Sequence, residues 1–336
     1  MSKLKNYRPS AVIITVTNPS TNKRDVITPC KYSEIAYNME ATMNAKNTNL
    51  NKAKKEANDE FYTQYEDIAK EVEHYKEHLK GKVIYCNCDI PYFSNFHKYF
   101  LDNFKELELK QLIVTGYVKN GNGKCSIYDG EKSTDYDLLG DGDFRGDECV
   151  DMLQKADVVI TNPPFSLFRE FIKVVVDNRK DFIVVGSKNA ITYKDVFPLF
   201  MSNTVFIGIV TPNDFITPLG ETKKINGLSR WFTSFNVRSN EHLELTKEYS
   251  ESEYSKYDNY DAVNVNKVKD IPKDYYGVMG VPITFLDKYN PKQFEVVGCS
   301  YDYGRPVGWS KNIDMSVSVN GENVYKRLLI KRKGEV

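Results

Sequence analysis

The segment Asn162-Pro163-Pro164-Phe165 is the stretch of this chain whose residue types point most directly to chemistry. Proline has no N–H, and a residue before proline is pushed toward extended geometry, so the segment presents carbonyl oxygens on a stiff backbone. With the side-chain oxygen of Asn162 and the ring of Phe165, it is rich in acceptors, poor in donors and able to stack on a flat ring. Such a site can take both hydrogens of a planar amine. A conjugated amine is a weak nucleophile because its lone pair is delocalised, and two acceptors aimed at its hydrogens favour the pyramidal nitrogen of a transition state. The competing reading is a plain turn, since Asn and Pro are also turn residues.

The elements that must hold this segment are legible around it. Val158-Val159-Ile160 is an uninterrupted β-branched run, as suits a parallel strand covered on both faces, and the prolines forbid its continuation. Upstream, Ala11–Val16 and Asp25–Thr28 predict a hairpin, residues 44–60 a linker or arm, and Glu60–Leu79 a helix. Lys82–Cys86 then reads as a strand, Phe93–Phe104 as a helix, Gln111–Tyr117 as a strand and Val150–Ala156 as a short helix. Phe168–Val176 is helical in pattern, and Phe182–Val185 and Val205–Val210 are strands. Such alternation predicts an α/β fold with a doubly wound, mostly parallel sheet, whose ligands sit at the carboxyl ends of the strands. Asn87-Cys88-Asp89, Asp143-Phe144 and the Asn-Pro-Pro segment all fall at such ends, hence in one crevice. Beyond residue 211 the rhythm breaks into Pro- and Gly-punctuated sequence, followed by a Tyr- and Asn-rich stretch. The expected organisation is an N-terminal hairpin and arm (1–58), a core (59–210), and a recognition region with C-terminal strands (211–336).

Composition sets bounds on the rest. The 336 residues suffice for a substantial core, no apolar run approaches a membrane span, and the polar start lacks a signal-peptide pattern, so a cytoplasmic protein is expected. Six scattered cysteines, with only Cys86 and Cys88 close together, predict reduced thiols and no metal site. Lysine plus arginine equals aspartate plus glutamate, 46 of each, which by itself does not suggest a nucleic-acid partner. The charges are nevertheless segregated, acidic from Asp129 to Asp157 and basic at Lys223, Lys224, Arg230, Arg238 and the C-terminus. Taken alone, these groups could equally be solvated faces.

From Asp59 to about Lys331 the chain resembles the EcoRI-type adenine-specific DNA methyltransferases. The resemblance is carried by Asp59–Tyr65, Tyr85–Asp89, Gly140–Arg145, Thr161–Glu170, Lys256–Ala262 and Tyr276–Phe285. It implies the S-adenosylmethionine-dependent methyltransferase fold and transfer of a methyl group to N6 of an adenine flipped out of duplex DNA. On this resemblance Asn162 and the Pro163 carbonyl are the acceptors for the amine, Phe165 stacks on the base, and Pro164 completes the loop. Asp143 binds the adenine amine of S-adenosylmethionine with Phe144 beside that ring. Phe61, Tyr62 and Thr63 close over the methionine end, and Asn87, Cys88 and Asp89 form the first-strand cofactor turn. The sequence departs from methyltransferases in two places: that turn has no glycine, and the strand ending at Tyr117 offers no carboxylate for the ribose, which leaves the ribose contact unassigned.

Two other readings stay open from the residues. Asn-Pro-Pro loops also methylate RNA guanine amines and protein glutamine amides, and a catalytically silent DNA-binding protein could keep the fold. For the DNA reading, Lys223, Lys224, Arg230 and Arg238, with the lysines of residues 46–55, are expected to line a cleft facing phosphates. Base-reading residues are expected between 211 and 265. A cognate restriction endonuclease could share such a system, but no stable protein partner is implied.

Overall fold

The computed structural model describes residues 63–212, 227–238, 241–300 and 317–334, together with the backbone of Ile14–Thr17, Arg24–Ile27, Tyr62, Asp214–Ile216 and Thr222–Lys224. The chain forms two compact units, Met1–Ala57 and Asn58–Val336. In the first, Ile14–Thr17 pairs antiparallel with Arg24–Ile27, the expected hairpin. The arm expected at 44–60 lies outside the described residues.

The second unit is built on an eight-stranded sheet. Its strands are β1 (Val83–Cys86), β2 (Gln111–Gly116), β3 (Lys124–Tyr128), β4 (Ser133–Asp137), β5 (Val158–Thr161), β6 (Asp181–Ser187), β7 (Phe206–Ile207) and β8 (Ser229–Thr233). They lie in the order β7-β8-β6-β5-β1-β2-β3-β4. The four central strands β6, β5, β1 and β2 are mutually parallel. Both flanks are antiparallel. From β1 the chain builds outward to β4, then returns to the other side of β1 as β5, which creates a topological switch point between β1 and β5. Because β8 comes from beyond residue 211 and pairs with β6, the sheet draws on both sides of the expected core boundary.

Alternation along the central strands splits the core into two layers, as a period of two requires. Tyr85, Ile113, Val159 and Val184 face one way, packing with α3 (Asp147–Lys155) and α4 (Phe168–Asp177) through Leu153, Phe171 and Ile172. Ile84, Leu112, Val158, Ile160 and Val185 face the other, against α1 (Tyr65–Val72) and α2 (Asn95–Asp102) through Ile68, Val72, Phe96 and Phe100. Val158, Val159 and Ile160 are at most 1% exposed. Each such side chain contributes about 1.5–3 kcal/mol by leaving water.

Several element boundaries differ from expectation for physical reasons. The helix expected through Leu79 is interrupted by a 3-10 turn at Glu73–Tyr75. The strand expected at Val205–Val210 stops at Ile207, because the Ile209 and Val210 N–H groups donate to the buried carboxylate of Glu71 (3.0 and 2.6 Å) instead of to a ladder. The helix after β1 starts at Asn95, capped by Ser94 Oγ, which accepts from the Phe96 N–H at 3.0 Å. Three smaller sheets complete the unit among the described residues. One joins Val263–Asn264, Met279–Val281, Leu328–Arg332 and Phe294–Cys299; a second joins Thr222–Lys224, Asp214–Ile216 and Tyr62–Thr63; a third pairs Ser318–Val319 with Glu322–Asn323.

Candidate active site

The Asn-Pro-Pro-Phe segment leaves the carboxyl end of β5 at the switch point, next to the carboxyl end of β1. The β1–β5 ladder pairs Ile84 with Val158 and Tyr85 with Val159 and goes no further, whereas β5 stays paired with β6 through Thr161 and Val184. Backbone pairing between β5 and β1 therefore stops two residues short of the loop, at the place where doubly wound sheets form their ligand crevice. Pro163 is buried, and Asn162, Pro164 and Phe165 are half-buried. The chain turns at once into a 3-10 turn, Phe165–Leu167, with the Leu167 N–H donating to the Pro164 carbonyl at 3.0 Å, and then into α4. Gly186 on β6 makes this close packing possible, since a Cβ there would collide with the ring of Phe168 at the start of α4.

Across the crevice, the end of β1 is polar and buried. Asn87 is 1% exposed, and its Oδ1 accepts no hydrogen bond. Cys88 is half-buried, and burial pushes its thiol well up, which favours the protonated form. Asp89 is 5% exposed. One carboxylate oxygen accepts from Ser94 Oγ and the other from Thr161 Oγ1 at 2.5 Å. Burial lifts this carboxyl to about 6, with the two hydroxyl hydrogen bonds opposing the rise. Nearby, the Tyr92 N–H donates to His97 Nδ1 at 2.7 Å, and Tyr92 sits at a left-handed φ of 67°. His97 is consequently protonated on Nε2, a buried donor with no hydrogen-bond partner, and burial lowers the ring to about 4.

The other expected cofactor residues divide. Gly142 takes φ 85° and backs onto the Gly116 carbonyl and Gly123, a close approach that only glycine permits and that brings Asp143 beside the end of β2. The Asp143 carboxylate is held by Arg145 through Nε (2.9 Å) and Nη2 (2.6 Å), and this pairing keeps it below the usual carboxylate range. Arg145 in turn reaches Glu170 on α4 at 2.6 Å. Phe144, expected beside a cofactor ring, is 4% exposed and packs edge-on to Phe171 at 5.2 Å, so its ring belongs to the core. Thr63 is 2% exposed, with an Oγ1 that has no hydrogen-bond partner, and its carbonyl accepts from Asn95 Nδ2 at 2.9 Å. The Tyr62–Thr63 strand thus lies against the start of α2. Phe61 lies outside the described residues.

Two of the four cations expected to face phosphates do not. Arg230 on β8 is 8% exposed and forms an ion pair with Asp287 (Nε–Oδ1 2.9 Å). Its Nη1 donates to the carbonyls of Gly227 and Ser229. Arg238 is nearly buried, pairs with Glu241 at 3.0 Å and donates to the Gly208 carbonyl at 3.1 Å. Both guanidiniums serve as internal donors, because the ends of β7 and β8 leave carbonyls that need partners. Lys223 and Lys224 lie on the strand paired to Asp214–Ile216, which itself pairs with Tyr62–Thr63, so the backbone carries them one strand away from Tyr62–Thr63. The lysines of residues 46–55 lie outside the described residues. No role was expected for Arg145, Ser94, His97 or Thr161, although Arg145 and Thr161 lie in segments that carry the resemblance. Arg145 sits two residues from Asp143, a local signal, whereas the Thr161–Asp89 contact spans 72 residues and has none.

Among the described residues, no helix is long and apolar enough to cross a membrane. No group of three or more His, Cys, Asp or Glu that could hold a metal occurs among them.

A family model described as adenine-specific methyltransferase EcoRI matches residues 49–138 and 118–333. The chain is 44% identical over 331 residues to the Type II methyltransferase M.EcoRI of Escherichia coli, covering 86% of this chain and 98% of that protein. It is 37% identical over 313 residues to M.MgeORF184P of Mycoplasma genitalium, covering 84% and 98%. It is 36% identical over 318 residues to M.MpnI of Mycoplasma pneumoniae, covering 85% and 99%, and both are named Type II methyltransferases. No solved structure matches the chain. The doubly wound sheet, the acceptor loop at its switch point and similarity over nearly the whole second unit agree, and the chain belongs to the EcoRI family of adenine-specific methyltransferases.

Proposed function

We propose that this methyltransferase transfers a methyl group from S-adenosylmethionine to N6 of an adenine flipped out of duplex DNA, within a specific sequence. The observation that carries the reading is the position of Asn162-Pro163-Pro164-Phe165 at the carboxyl end of β5, facing the polar end of β1 across the switch point. The Asn162 side-chain oxygen and the Pro163 carbonyl accept the two hydrogens of the amine, which steers its lone pair out of the ring plane. Phe165 stacks on the base, in place of the neighbours it loses on leaving the helix. Neither acceptor is basic enough to keep a proton, so the amine proton leaves to solvent.

The bound cofactor supplies an electrophilic methyl on a sulfonium. The residues present fit its polar groups. Thr63 Oγ1 and Asn87 Oδ1 are buried oxygens that accept no hydrogen bond, suited to an ammonium group. Asp143 Oδ1 already accepts from the Arg145 N–H and Nε, while Oδ2 accepts from Nη2 alone and keeps one lone pair, which suits an adenine amine. Lys223 and Lys224 remain as phosphate contacts, and base reading falls to the 211–265 region.

The test is transfer of labelled methyl from S-adenosylmethionine to duplex DNA, RNA and protein, followed by nucleoside digestion. Label in N6-methyladenine from DNA is the expected result. Label in RNA or protein alone, or none, overturns it.

A further inference from the structure

The ends of β1 and β5 are joined by a hydrogen-bond relay whose direction is fixed by its donors. The Cys88 N–H donates to Thr161 Oγ1 at 3.2 Å, and the Thr161 hydroxyl donates to Asp89 Oδ2 at 2.5 Å. From the other side the Phe96 N–H donates to Ser94 Oγ at 3.0 Å, and the Ser94 hydroxyl donates to Asp89 Oδ1. Each hydroxyl has one hydrogen, so each takes a backbone donor and gives its own to the carboxylate. Asp89, Ser94 and Thr161 are all at most 5% exposed. The Asp89 N–H is also engaged, donating to the Thr115 carbonyl on β2 at 2.9 Å.

This relay lies where backbone pairing fails. The β1–β5 ladder ends at Tyr85–Val159, yet Thr161 is the residue immediately before Asn162. On the β6 side, Thr161 is held by the ladder; on the β1 side, its hydroxyl reaches Asp89 where no backbone pairing joins the two strands. We infer that Asp89 and Thr161 are a positioning pair: they fix the acceptor loop against the end of β1, and Asp89 acts through Thr161 rather than on the cofactor. Both Asp89 oxygens already accept a short hydrogen bond and the carboxylate is closed to solvent, which sets it apart from Asn87, whose Oδ1 accepts none. The inference rests on the reading that this loop receives the substrate amine.

Thr161→Val removes the hydroxyl and keeps the β-branched shape; Thr161→Ser restores it. The single-turnover methyl-transfer rate should fall about 10- to 100-fold in Thr161→Val, the order expected when a reacting group is misplaced by about an ångström. Dissociation constants for S-adenosylmethionine, by calorimetry, and for DNA should stay within about twofold, since binding contacts are untouched. Thr161→Ser should recover most of the rate. Amide hydrogen exchange at residues 165–168 should accelerate in Thr161→Val. Should Thr161→Val not fold, Ser94→Ala removes the other arm and should lower the rate severalfold at unchanged cofactor affinity. A wild-type rate in whichever variant folds overturns the inference, as does a rate loss matched by an equal loss of cofactor affinity, which would make the pair a cofactor contact. The exchange comparison reads the clamp whatever the substrate, so failure of the adenine reading remains distinguishable from failure of this one.

Discussion

Raising the pH through the range in which Asp89 ionises should lower the stability of the fold by about 3 kcal/mol. Burial lifts the carboxyl from its ordinary 3.8 to about 6, roughly two units at about 1.36 kcal/mol each. The folded chain therefore holds this proton more tightly than the unfolded chain. The corresponding stability is fully present below about pH 3.8 and is lost as the pH rises through about 6. Hydrogen bonds from Ser94 and Thr161 oppose the shift, but removing the carboxylate from water is the larger effect. Other groups titrate in the same range, so the measurement is a difference between wild type and Asp89→Asn, from urea unfolding at pH 4.5, 5.5, 6.5 and 7.5. The stability of the variant relative to wild type should climb by about 1.4 kcal/mol per pH unit up to about pH 6 and level off above 7. A flat difference, or one that falls with pH, would refute the argument that desolvation outweighs the two hydroxyl donors.

Asn162→Ala should cut the single-turnover methyl-transfer rate by about 10²-fold or more while leaving S-adenosylmethionine affinity nearly intact by calorimetry; normal turnover would remove the acceptor mechanism. Arg230→Ala leaves the carboxylate of Asp287 without its guanidinium and should cost about 2–3 kcal/mol in a urea melt, below the full buried-pair range because Asp287 is 31% exposed. Its salt dependence of DNA binding should match wild type, and a reduced slope would return Arg230 to the phosphates. Lys223→Ala, by contrast, should reduce the log–log salt slope by about one and weaken all DNA sequences alike. Gly186→Ala drives a Cβ into the ring of Phe168 and should cost about 1–3 kcal/mol in a thermal or urea melt, with slower methyl transfer because α4 carries the loop.

By itself the sequence determined where the acceptor segment falls and which strand precedes it. A β-branched run followed by two prolines forces a buried strand to end in a stiff acceptor loop, and that loop stands at the end of β5. Strand-helix alternation specified the parallel centre of the sheet, and continuous resemblance specified the family. The direction of each charge was decided only by the tertiary structure. Arg230 and Arg238 read in sequence like Lys223 and Lys224, but a guanidinium with five donors is drawn to the carbonyls and carboxylates left at strand ends, and Asp287 is 57 residues from Arg230. Asp89 likewise reads as one residue of a cofactor turn, yet folding brings Thr161 onto it from 72 residues away. Phe144 sits in the right motif but turns its ring toward Phe171. Local sequence fixes where the backbone can go and which groups it carries; whether a polar group meets ligand, solvent or its own fold depends on donors and acceptors brought together from distant segments.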